Sequence, residues 1–156
     1  MIILASQSPR RSAILQQINI PFRVIPSTCE EVIPDVDTYL RIPEELATQK
    51  AVEVSINNPN TYVFGYDTLV FLDGSPLGKP IDDLDASRIL NLLSNNCHEV
   101  ITGVAVAKDG VVIRKDREIT RVFFKNLSQA EIDSYIITQE PKDKAGAYGI
   151  QDRGAA

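Results

Sequence analysis

The chain has 156 residues, the size of one ordinary domain, with 44% apolar and 24% charged side chains. That composition excludes a disordered chain and supplies enough apolar material for a core. The net charge of −5 argues against bulk, salt-driven binding to nucleic acid or anionic lipid, yet leaves room for a small basic pocket. No apolar run approaches the ~18 residues of a membrane span. The basic residues follow the short apolar start, the reverse of a secretory leader, and a cytoplasmic location is expected.

Residues 2–5 form a short apolar run suited to a buried strand. A helix follows, with Ser8 at the N-cap, Pro9 at the first helical position, and Ile14, Leu15 and Ile18 as its apolar positions. Residues 22–25 read as a second strand. A further helix starts near Pro43 and carries Leu46, Ala47, Ala51 and Val54 on one face. Residues 62–67 and 69–72 read as strand, closed by the turn Asp73-Gly74. Residues 83–93 space Ala86, Ile89, Leu90 and Leu93 for an amphipathic helix.

Residues 100–107 and 111–124 flank Asp109-Gly110, the pair that a type I′ hairpin turn favours. Ser128 and Glu131 form a capping box that opens a helix with Ile132, Tyr135 and Ile136. Residues 144–151 make a Gly-rich loop. No repeat, linker or low-complexity segment interrupts this order. One α/β domain with a mixed sheet is the expectation.

Four places combine charge with an apolar or constrained setting. At residues 6–11, two hydroxyls and two guanidiniums gather where a strand enters a helix. A phosphate would find free N–H groups and fork-shaped donors there, although a capped helix with solvated arginines is equally consistent. No Walker loop is present. Asp67 ends an apolar strand and is followed by Thr68, a setting for a metal ligand or general base as well as for a surface turn. Lys79 stands between Gly78 and Pro80, where a stiff loop aims an ammonium at an anion or simply turns. Glu30 and Glu31, with Lys50 on the next helix, suit Mg²⁺ or Mn²⁺ or else a solvated face. His98 reads as a structural histidine, and Cys29 and Cys97 as reduced, buried, small apolar residues.

Taken in order, these motifs resemble those of the Maf family of nucleoside triphosphate pyrophosphatases, the septum-formation group. The resemblance rests on residues 4–11 (Leu-Ala-Ser-Gln-Ser-Pro-Arg-Arg), Glu30-Glu31, Leu46-Ala47 with Lys50-Ala51, Asp67-Thr68 and Gly78-Lys79-Pro80. His98 with Val100, Thr102 and Gly103, and the run from Asp143 to Gln151, complete it. The resemblance implies an elongated, twisted mixed sheet flanked by helices, like that of inosine triphosphate pyrophosphatases. It also implies hydrolysis of a nucleoside triphosphate to monophosphate and pyrophosphate with a divalent metal, Mg²⁺ or Mn²⁺, in house-cleaning of the nucleotide pool and with a link to division arrest.

Carried over by position, Asp67 matches the catalytic proton acceptor. Arg10, Thr68 and Gln151 match the positions that mark the branch acting on dTTP and UTP. Ser8, Arg11, Glu30, Lys50 and Lys79 match pocket residues that hold triphosphate and metal, with Asp67, Glu30 and Glu31 as the candidate metal ligands. Gln151 offers an amide donor and acceptor that suit a pyrimidine O4 and N3–H edge. The alternatives are a non-catalytic nucleotide- or nucleic-acid-binding regulator of septum formation, and a pyrophosphatase directed at 7-methyl-GTP or purines.

Two departures from the family pattern are visible. Tyr66 replaces the usual small residue before the aspartate. The chain is expected to lack the family's C-terminal strand and helix, leaving apolar surface for a partner subunit. A homodimer is the corresponding expectation.

Overall fold

The structure, a computed structural model, describes residues 1–151 and 153–155. Residues 152 and 156 lie outside the described residues. The strands are β1 (Ile2–Leu4), β2 (Phe22–Val24), β3 (Val63–Leu72), β4 (Ser75–Leu77), β5 (Cys97–Lys108) and β6 (Val111–Phe123). The helices are α1 (Pro9–Gln17), α2 (Ile42–Ile56), α3 (Asp83–Leu93) and α4 (Gln129–Ile137). All six strands belong to one mixed sheet in the order β2-β1-β3-β5-β6, with β4 paired to β3. β1 runs parallel to both β2 and β3, whereas β4 is antiparallel to β3. The mixed α/β architecture expected from the alternating pattern is therefore present.

The two Asp-Gly turns have the predicted chemistry. Asp73 and Gly74 take φ of 49° and 77°, and Asp109 and Gly110 take 52° and 78°. Positive φ at both central residues is what a type I′ hairpin turn demands, and it matches the right-handed twist of the strands it joins. The stretches 62–67 and 69–72 merge into one continuous strand, Val63–Leu72, in which buried and partly exposed positions alternate as far as Thr68 and lose that period beyond it.

The chain forms two compact units, Met1–Asp67 with Thr102–Glu118, and Thr68–Ile101 with Ile119–Ala156. In the first, Ile3, Ala5, Val54 and Val63 form one buried cluster, and Ala47, Ala51, Ala105 and Ala107 form another. The all-alanine contact lets α2 lie unusually close to the strands. Glycines extend that approach: a Cβ on Gly65 would sit 2.2 Å from the Ala47 carbonyl oxygen, and one on Gly103 2.2 Å from the Pro43 carbonyl. Neither site can hold a side chain while the helix keeps its place.

α1 departs from expectation. Only Leu15 is buried, while Ile14 and Ile18 are 59% and 58% exposed. Four residues apart, these isoleucines share one helical stripe, and that stripe lies outside the core. Ser8 occupies the N-cap position, but its side chain makes no capping bond.

In the second unit, Val70, Leu77, Ile89, Leu90, Leu93, Ile132, Ala147 and Tyr148 share one core. All four predicted apolar positions of α3 are buried, and Asp82 caps the helix by accepting from the Asp85 amide at 2.7 Å. The capping box of Ser128 and Glu131 is complete in both directions. Among the described residues no helix is long and apolar enough to cross a membrane.

Cys97 is exposed and Cys29 half-buried, which corrects the expectation that both are buried. Cys97 is the first residue of β5 and is exposed while the next residue, His98, is buried, and Cys29 lies in a loop where its sulfur meets the Ser27 hydroxyl at 3.0 Å.

Candidate active site

β1 ends in the core, with Leu4 and Ala5 buried, and delivers Ser6 to a position only 7% exposed. A buried hydroxyl requires partners. Ser6 Oγ accepts from Arg11 Nη1 at 2.8 Å and from the Ser8 amide at 3.3 Å. Arg11 Nη1 also donates to the Tyr66 carbonyl at 3.2 Å, and its guanidinium lies over the Tyr66 ring, 5.7 Å from the centroid. Burial lowers the Arg11 pKa, and Asp67 and Tyr66 partly offset that loss. A guanidinium is not deprotonated in proteins, so the side chain remains a cation.

Asp67 is 8% exposed. Its Oδ1 accepts from Lys50 Nζ at 2.5 Å, and the same ammonium lies 2.8 Å from Glu31 Oε1. Asp67 Oδ2 is buried without a hydrogen-bond partner. Burial raises the carboxyl's pKa, and with the upward push of Glu31 it outweighs the downward pull of Lys50 and Arg11. For Lys50, burial favours the neutral amine, but attraction and hydrogen bonds from Asp67 and Glu31 outweigh it and the pKa rises. The ammonium is therefore held charged between two carboxylates.

The segment carrying Glu31 has no regular secondary structure. α2 fastens it with side chains. Gln49 Nε2 donates to the Val32 carbonyl at 2.7 Å, the Val32 amide donates back to Gln49 Oε1 at 3.1 Å, and Thr28 Oγ1 donates to Glu53 Oε1 at 3.0 Å. Ser6, one of the two hydroxyls noted at residues 6–11, and Gln49 are thus supporting residues to which the motif reading assigned no role. Ser6 carried a usable signal, as the first hydroxyl after a buried strand. Gln49 carried none beyond its place beside Lys50.

The structure brings Arg11, Glu31, Lys50 and Asp67 together. Glu30 and Arg10 are exposed, and Ser8 is half-buried with its amide on Ser6. In the second unit, Lys79 and Gln151 are exposed and Thr68 is half-buried. The loop of Lys79 is tied to the Gly-rich loop by the Gly146 amide donating to the Gly78 carbonyl at 3.1 Å. Tyr148 Oη meets His98 Nε2 at 2.7 Å, and the Gly149 amide donates to Tyr135 Oη at 3.3 Å. His98 is a buried structural residue with a partner.

Among the described residues no three His, Cys, Asp or Glu side chains gather into a ready-made metal cage. The donors present nevertheless fit a hard cation. Mg²⁺ is usually held by one or two carboxylates together with substrate phosphates, and Asp67 and Glu31 already flank a cation with one buried acceptor unused.

A family model described as Maf-like protein matches residues 1–156, and the chain belongs to that family. It is 46% identical over 155 residues to a dTTP/UTP pyrophosphatase of Bacillus cereus, covering 99% of this chain and 80% of that protein. The dTTP/UTP pyrophosphatase of Halalkalibacterium halodurans is 43% identical over 154 residues, with the same coverage of 99% and 80%. The HAM1 protein of Coxiella burnetii has a similar fold, with a TM-score of 0.53 at 20% identity over 78% of this chain and 71% of that one. The Ham1 protein of Staphylococcus aureus is alike, at a TM-score of 0.53 and 20% identity over 78% and 70%.

Proposed function

We propose that the chain hydrolyses nucleoside triphosphates, dTTP and UTP foremost, to the monophosphate and pyrophosphate. The observation that carries this reading is a buried aspartate with one oxygen on a lysine and the other unpartnered. Burial raises its proton affinity, which suits a base. A water oxygen attacks the α-phosphorus while its proton passes to Asp67. The bond from the α-phosphorus to the bridging oxygen breaks, and pyrophosphate leaves with that electron pair.

Arg11 is preset by Ser6 and the Tyr66 carbonyl, so little order remains to be imposed when it receives phosphate oxygens. Lys50 and Lys79 add point charges, since phosphoryl transfer depends mainly on positioning and charge stabilisation. Asp67 and Glu31, with the exposed Glu30 as a further donor, would hold a divalent cation that neutralises phosphate charge. Arg10, Thr68 and Gln151 are assigned to pyrimidine recognition, in line with the activity named for the relatives. Cytoplasmic residence and a homodimer belong to the same reading.

The test is pyrophosphate release from dTTP, UTP, CTP, 7-methyl-GTP and inosine triphosphate with Mg²⁺ or Mn²⁺. Turnover highest on dTTP and UTP is expected. Tight nucleotide binding with no release from any of them would overturn the assignment in favour of a regulatory binder.

A further inference from the structure

Lys50 fills the place between two carboxylates that come from different parts of the chain. Its Nζ is 2.5 Å from Asp67 Oδ1 on β3 and 2.8 Å from Glu31 Oε1 in the loop before α2, and its side chain is only 16% exposed. Two carboxylates against this ammonium and the neighbouring Arg11 guanidinium leave the group formally neutral. A neutral group with its central position occupied offers a dication little attraction. The unused Asp67 Oδ2, buried in the same side chain, shows that acceptor capacity is present all the same.

The two sides of this arrangement differ in how the chain holds them. Glu31 sits on a backbone fastened at both flanks, by Thr28 on Glu53 and by the two-way amide contact of Gln49 with Val32. Asp67 is fixed within β3. Lys50 reaches them on a four-carbon stem whose rotations leave the backbone of α2 in place.

We propose that Lys50 acts as a resident cation that the triphosphate must draw off, so that a divalent metal is taken up by Glu31 and Asp67 with the nucleotide and not before it. This rests on the reading above that the site takes a triphosphate and a metal. Arrival of the nucleotide supplies the negative charge that the free site lacks and offers the ammonium phosphate oxygens in exchange for carboxylates. The nucleotide-free protein would then leave its base paired and shielded.

The experiment is a titration of the full chain with Mn²⁺ alone, free Mn²⁺ being read by electron paramagnetic resonance at low ionic strength. Lys50→Met removes the resident charge while keeping the length of the stem. We expect it to bind Mn²⁺ at least ~10-fold more tightly than the unaltered protein, because one adjacent positive charge is gone. Lys50→Gln repeats the measurement should the methionine variant fold poorly. Adding Glu31→Gln to either variant is expected to abolish the gain, which places the gained site at these carboxylates. Equal or weaker Mn²⁺ binding by folded Lys50 variants overturns the proposal, as does tight Mn²⁺ binding by the unaltered protein without nucleotide. Failure of the pyrophosphatase reading shows separately, as absence of pyrophosphate release from the unaltered protein.

Discussion

His98 Nε2 and Tyr148 Oη meet at 2.7 Å inside the second unit, though 50 residues separate them in sequence. Both rings pack edge-on against each other and against Phe124, with centroids 4.8 to 5.4 Å apart. The contact fixes the Gly-rich loop, which otherwise has two successive residues of positive φ, Gly146 at 71° and Ala147 at 61°. Such a backbone persists only where surrounding contacts over-determine it.

Removing the hydroxyl alone, by Tyr148→Phe, leaves the ring packing and strands the histidine nitrogen. A loss of about 1–3 kcal/mol is expected, the usual penalty for an orphaned buried polar group. Urea unfolding at neutral pH measures it.

Stability should also fall at both ends of the pH scale. Burial lowers the His98 pKa from 6.5, so the unfolded chain takes up this proton first and stability drops as pH falls below that value. Burial pushes Tyr148 up to about 12 from 10.0, so its contribution is complete below pH 10 and is lost between 10 and about 12. Melting temperature against pH reads both limbs. The alkaline one should shrink in Tyr148→Phe.

Asp67→Asn keeps the size of the side chain and removes its capacity to accept a proton. Turnover should fall ~10²–10⁴-fold, the range for loss of a general base, while a non-hydrolysable dTTP analogue still binds. Steady-state pyrophosphate release and calorimetric titration separate the two effects. Near-normal turnover would rule out Asp67 as the base.

Ser6→Ala withdraws the acceptor shared by Arg11 and the Ser8 amide. A stability loss of about 1 kcal/mol is expected. Arg11 also loses its fixed aim, so KM for the triphosphate should rise more than kcat falls. A purely structural role for Ser6 would leave KM unchanged in the folded variant.

Gly65→Ala places a methyl group 2.2 Å from the Ala47 carbonyl oxygen. Helix α2 must shift, at a cost of about 1–3 kcal/mol or more, and Lys50 moves with it. Activity in the folded fraction should fall together with stability. Gly78→Ala is the contrast, since a Cβ there meets nothing within 4 Å.

Local chemistry made much of the architecture legible. The Asp-Gly pairs predicted both turns because few other residues accept positive φ at consecutive positions. α3 was readable because all four of its apolar positions face one core. α1 was not, because Ile14 and Ile18 obey the helical period and still face outward. Periodicity states that a stripe exists, not that something covers it. Cys97 failed for a related reason, as its residue type favours burial but its place at the start of β5 does not.

By itself, the sequence determined the order of elements, the turn types, and the identity of Asp67, Lys50 and Arg11 as charged groups in apolar contexts. These depend on backbone preferences and on residues adjacent in the chain. Only the tertiary structure decided that Glu31 and not Glu30 reaches Lys50, that Ser6 and not Ser8 anchors Arg11, and that one Asp67 oxygen is left bare. Each of those choices turns on a few ångströms in three dimensions. The close approach of α2 to the strands at Gly65, Gly103 and the alanines, which carries Lys50, is a distance of the same kind, and residue spacing alone carries no such distance.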